Sequence, residues 1–103
     1  MIDVLRVFDE MDRALAARGF VREDEHYAPD AFGHRTRTYR RHAREALALV
    51  WEARDYWMIL QGGIPWRDLA VFKAGRESAM TSEAIVATLL GEVSRLPDFD
   101  PAL

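Results

Sequence analysis

Arginine dominates one short stretch of this chain. Residues 35–44 contain Arg35, Arg37, Arg40, Arg41 and Arg44 and no acid, a local charge of +5. Interleaved with Tyr39 and close to Trp51, such a run has the chemistry to hold a phosphate backbone and stack bases. The segment just before it is acidic, with Glu23, Asp24 and Glu25 in succession. A hairpin turning near residue 32 would set Glu23 beside Arg41 and Asp24 beside Arg40. Cross-strand pairs of opposite charge account for both runs without a ligand. The spacing therefore favours a structural ladder, with Arg37, Arg40 and Arg41 as the residues that would meet an anion or an acidic partner.

Other chemistry-bearing residues are sparser. His26, His34 and His42 are of a type that binds metals and titrates near neutrality. The hairpin, however, puts His34 at its loop end and the other two at different heights, and no HExxH spacing exists. Gly62-Gly63-Ile64-Pro65-Trp66 could expose backbone amides to an anion, with Trp66 as a platform. Phosphate loops instead need a lysine and a following helix, so this segment reads as a plain connection. Ser78, Thr81 and Ser82 lack a nucleophile-elbow pattern and serve as helix caps. The carboxylates read as surface groups, none standing alone in an apolar run. Nothing in the pattern calls for a cofactor, a metal or a catalytic residue.

The aromatic group Trp51, Tyr56, Trp57 and Trp66 remains. If Ala53-Arg54-Asp55 forms a tight turn, Trp51 pairs with Trp57, Leu49 with Ile59 and Leu47 with Gln61, all on one side of a hairpin. The other side holds Ala46, Ala48 and Val50 opposite Met58 and Leu60. Both sides are apolar, whereas a sheet with one solvated face alternates apolar with polar residues. Something must cover each face. The small Ala46 and Ala48 would let helices approach, which leaves Trp51, Trp57, Leu49, Ile59 and Trp66 as a candidate interface rich in the residue types that anchor protein contacts.

Two helices bracket these elements. Val4, Leu5, Phe8, Met11 and Leu15 recur at helical spacing within residues 3–18, with Asp3 to cap the start and Gly19 to end it. Ile85, Val86, Leu89, Leu90, Val93 and Leu96 do the same within 82–96, where Pro97 bars continuation. Between them, β-branched and aromatic runs broken by turn formers predict strands near 20–27, 35–42, 46–53, 56–61 and 68–73. The short links imply antiparallel neighbours. The fold class is thus α+β: one domain over 1–103, a two-layer sandwich of an antiparallel meander of four or five strands with both helices on one face.

Composition sets the outer bounds. The chain has 103 residues, half of them hydrophobic and 30% charged, with net charge −3 and no cysteine. That length makes one domain, and the apolar content excludes wholesale disorder. Disulfides, thiol nucleophiles and cysteine-ligated metals are excluded too. The N-terminal stretch lacks a signal-peptide layout and no apolar run is long enough to cross a membrane, which reads as cytoplasmic. The pattern fits a non-catalytic protein-binding module, such as an immunity-type inhibitor, a dedicated chaperone or an adaptor, that forms a homodimer through an apolar sheet face. A rival from another class is a small-molecule-binding or enzymatic domain, with a pocket between sheet and helices lined by Trp66, Tyr39, His42 and arginines. A nucleic-acid binder using residues 35–44 is the third.

Overall fold

The computed structural model describes residues 3–41, 45–63, 66–73 and 81–95. His42, Arg44, Ile64, Pro65, Ser78 and Leu96 lie outside the described residues. The elements run α1 (Val4–Ala16), β1 (Val21–Ala28), β2 (His34–Arg40), β3 (Ala46–Glu52), β4 (Trp57–Gly62), β5 (Arg67–Lys73) and α2 (Ser82–Ser94). The five strands form one antiparallel sheet in chain order, and the α+β architecture is the one the sequence predicts.

Local chemistry sets the helix ends. The Asp3 side chain accepts the Arg6 amide, satisfying a donor that the first turn leaves open. At the other end Gly19 sits at φ +90, and the amides of Gly19 and Phe20 return to the carbonyls of Ala16 and Leu15. That left-handed closure suits glycine because it has no Cβ. Thr81 caps α2 by accepting the Ala84 amide.

Val7, Phe8, Met11 and Leu15 of α1 and Ile85, Val86, Leu89 and Val93 of α2 pack with Tyr39, Leu47, Leu49, Trp51, Met58 and Leu60. This is the core. The helices therefore cover the face carrying Leu47, Leu49 and Trp51, not the Ala46 and Ala48 face expected from small side chains.

The reason is a one-residue shift at the β3–β4 turn. Tyr56, expected in the strand, takes φ +57 and lengthens the connection to four residues, Ala53 to Tyr56. Trp51 then lies opposite Met58, Leu49 opposite Leu60 and Leu47 opposite Gly62, while Trp57 meets Glu52 and Ile59 meets Val50. Because strand side chains alternate with period two, a slip of one residue exchanges the faces of everything beyond the turn. Trp51 and Trp57 end on opposite sides of the sheet. Tyr56 keeps its contact with the core by meeting Trp51 edge to face, centroids 5.6 Å apart.

The first hairpin is also offset from expectation. Its connection spans Pro29 to Gly33, with Phe32 and Gly33 both at positive φ, and a bulge interrupts the ladder between Arg22 and Asp24. Asp24 lies opposite Thr38, so the expected pairs of Asp24 with Arg40 and Glu23 with Arg41 do not form by register. Arg40 does bond Glu23, at 2.5 Å, through the bulge, and Arg41 bonds Glu45.

The two tryptophans should respond differently to truncation. Trp51 is 5% exposed, so Trp51→Ala should cost about 3–5 kcal/mol by leaving a cavity. Trp57→Ala on the other face, measured in dilute protein, should cost about 1 kcal/mol, mainly its cation–π contact with Lys73. Urea unfolding of both variants checks this; equal losses would contradict the observed register.

Candidate functional site

Two places merit a site's description: a charge cluster under α1 and the sheet face that the helices leave bare. The cluster is centred on Arg37, which β2 alternation points toward the helices. Its side chain is 5% exposed. The Arg37 Nε donates to Glu25 of β1, and Nη1 donates to Asp9 at 3.0 Å and Asp12 at 2.8 Å, both on α1. The guanidinium also lies 5.3 Å from the Phe8 ring centroid. Around it, the Tyr39 hydroxyl donates to Asp12, Arg22 Nη1 reaches Asp12 at 3.2 Å, and Arg35 Nη1 reaches Glu25 at 2.8 Å. Three arginines thus balance three carboxylates.

Each perturbed acidity follows from that geometry. Burial alone would lower the Arg37 pKa, yet Glu25, Asp9 and Asp12 together hold it above its ordinary value. The Arg37 hydrogen bond keeps Glu25 below the usual carboxylate range, against partial desolvation and with help from Arg35. Burial, followed by the bond to Asp12, raises Tyr39 above the usual tyrosine range, so it stays a neutral donor. Every buried side-chain nitrogen and oxygen among the described residues has a partner. The cluster joins α1 to β1 and β2, where an unpaired buried charge would be costly.

The second place is the opposite face of the sheet. Register and alternation put its residues in rows that cross the strands. One row holds Thr36, Val50, Ile59 and Val71; on one side of it lie His34, Glu52, Trp57 and Lys73, and on the other Thr38, Ala48, Gln61 and Asp68. Ala46, Ala48 and Ile59 are buried yet stand apart from the helix-side core. Val71 is 41% exposed. Lys73 Nζ lies 4.7 Å from the Trp57 ring centroid, and Gln61 donates to Asp68 at 3.0 Å. Among the described elements, none packs over this face.

The residues singled out from sequence are therefore split. Leu49 and Trp51 are core beneath the helices; Trp57 and Ile59 share the bare face; Trp66 is 45% exposed in the turn before β5. They do not make one surface. The arginines divide too, with Arg37 inward, Arg40 outward and Arg41 beyond β2 against Glu45 and over the Phe20 ring. Tyr39, proposed to line a pocket, is fully packed and bonded to Asp12. His34 Nδ1 lies 3.8 Å from Glu52, and among the described residues no group of three ligating side chains converges on a metal position.

Sequence reading missed the Arg37 cluster by treating carboxylates as surface groups. A usable signal was present: Asp9 and Asp12 are three apart and flank the apolar stripe of α1, while Arg35, Arg37 and Tyr39 share one strand face.

No family model, no curated protein and no solved structure matches this chain.

The cluster should limit stability at both ends of the pH scale. Glu25 has a depressed folded pKa, so its contribution is present above the ordinary value of 4.5 and is lost as pH falls through the lower folded value. Tyr39 has a raised folded pKa, so its contribution is present below the ordinary value of 10.0 and declines as pH rises beyond it. Urea titrations across pH should show both limbs, and Tyr39→Phe should flatten the alkaline one; an unchanged alkaline limb would contradict the assignment.

Proposed function

We propose that this chain is a non-catalytic protein-binding module that self-associates through the helix-free face of its sheet. The observation that carries the reading is the apolar stretch of Val50, Trp57 and Val71 around the buried Ala48 and Ile59 on the side away from both helices, with Val71 41% exposed. Exposed apolar patches on a sheet are a liability in a free monomer and an asset in an interface. Ordinary sandwich packing, with two sheets about 10 Å apart, buries such faces.

The polar chemistry supports the same reading. Arg37 is committed to Glu25, Asp9 and Asp12, Arg35 to Glu25, and Arg40 and Arg41 pair with Glu23 and Glu45. These four arginines are thus compensated within the chain, which favours a protein partner over a nucleic acid. No helix among the described residues is long and apolar enough to cross a membrane. A cytoplasmic location is part of the same proposal. An immunity-type inhibitor, a dedicated chaperone or an adaptor would each use a module of this kind.

Val71→Glu tests the reading without disturbing the core. Its side chain is exposed, so the monomer's melting temperature should hold within a few degrees. The variant should remain monomeric by light scattering at concentrations where the parent chain is dimeric. A parent chain that stays monomeric at hundreds of micromolar, or a variant that dimerises as well as the parent, would overturn it.

A further inference from the structure

The helix-free face has a charge arrangement that selects one way of docking a second copy. On β5, Lys73 lies one row to one side of Val71, opposite Trp57, and Asp68 lies one row to the other side, opposite Gln61. The irregularity between Leu60 and Gln61 brings Asp68, rather than Leu69, into that row. Leu69 turns to the helix side instead, where it packs against the core. Two opposite charges therefore flank the apolar row at matching distances, about 7 Å each way at ordinary strand rise.

The geometry points to a face-to-face homodimer whose two-fold axis lies in the interface and runs across the strands along Thr36, Val50, Ile59 and Val71. This inference rests on self-association through that face and adds its symmetry. Rotation about such an axis lays β5 on β5 of the second copy and exchanges the flanking rows. Lys73 then meets Asp68 of the second copy, and the relation repeats by symmetry. Val50, Ile59 and Val71 meet their own counterparts at the centre, and Trp57 is set against Gln61 of the second copy.

The alternative axis, parallel to the strands, keeps each row opposite itself. Run along β3 it would set Asp68 over Asp24 of the second copy, since Asp24 lies in that same row beside Thr38; run along β4 it would set Asp68 over Ala48 and Lys73 over Glu52 of the second copy. Like charges facing across an interface oppose docking. Only the axis across the strands gives Asp68 a basic partner on the second copy.

Against a second copy the face offers its accessible side chains, Val50, Trp57, Val71, Lys73 and Asp68, around Ala48 and Ile59, which are already buried within the chain. Aligned sheets cross at about 30°, which displaces β5 by only about 2–3 Å when the contact is centred on β4. A lysine stem spans that offset.

A charge exchange tests the arrangement by sedimentation of the full chain across a dilution series. Lys73→Asp alone puts acid against acid at both symmetric positions, and Asp68→Lys alone puts base against base. Each variant should dimerise at least about tenfold more weakly than the parent while keeping the melting temperature the parent shows at dilutions where it is monomeric. An equimolar mixture of the two should form a heterodimer of near-parental affinity, because every pair is then opposite in sign. A parent dimer with either variant dimerising as tightly as it, or with a mixture no tighter than its components, would overturn the two-fold arrangement while leaving self-association intact. A parent chain monomeric at hundreds of micromolar would overturn both.

Discussion

The register between β3 and β4 is the constraint on which the rest of the molecule depends. Both strands are apolar on both sides, so hydrophobicity alone permits either face to be core. The four-residue turn ending in Tyr56 at φ +57 chooses Leu47, Leu49, Trp51, Met58 and Leu60 for the helices. A bulky residue in the left-handed region costs of order 1–3 kcal/mol. The edge-to-face contact of Tyr56 with Trp51 offsets part of that cost. The same choice leaves Val50, Trp57 and Ile59 on the other side, so the turn that builds the core also builds the helix-free face.

A polar device secures the helix layer. Helix α1 buries four apolar side chains, and its flanking Asp9 and Asp12 close on Arg37 from the sheet. Replacing a buried ion cluster with apolar groups is often neutral or stabilising, whereas removing one member is costly. Its contribution is orientation: the carboxylates on α1 and the guanidinium on β2 meet in one rotational setting of the helix. The neighbouring bond from the Asp3 amide to Ser82 Oγ, at 3.3 Å, links the starts of the two helices.

Much of the fold was legible in the residues. Both helices announced themselves by apolar spacing and caps, and the strands by β-branched runs between short turns. Asp3, Gly19 and Thr81 perform the tasks their types imply. What sequence could not supply was register. A turn of three residues and one of four are both compatible with Ala53-Arg54-Asp55-Tyr56, and nothing local marks Tyr56 as left-handed. The exchange of faces followed from that one residue, and with it the separation of Trp51 from Trp57. The Arg37 cluster was hidden for a related reason: pairing a strand arginine with carboxylates on a helix requires knowing which strand face the helix covers.

The two edge strands differ: Glu23, Asp24 and Glu25 discourage chains from adding at β1, whereas on β5 Val71 faces the helix-free side and Leu69, Ala70 and Phe72 pack against the core. The central claim of the proposal is that copies of this chain meet through the helix-free face of the sheet. Since the chain has no cysteine, one introduced thiol reports on one position. Val71→Cys, treated with a bismaleimide whose reach matches the roughly 10 Å between packed sheets, should give cross-linked dimer at low micromolar protein. Leu5→Cys, on the exposed side of α1, should give almost none. Equal cross-linking from the two positions, or none from Val71→Cys, would contradict the account.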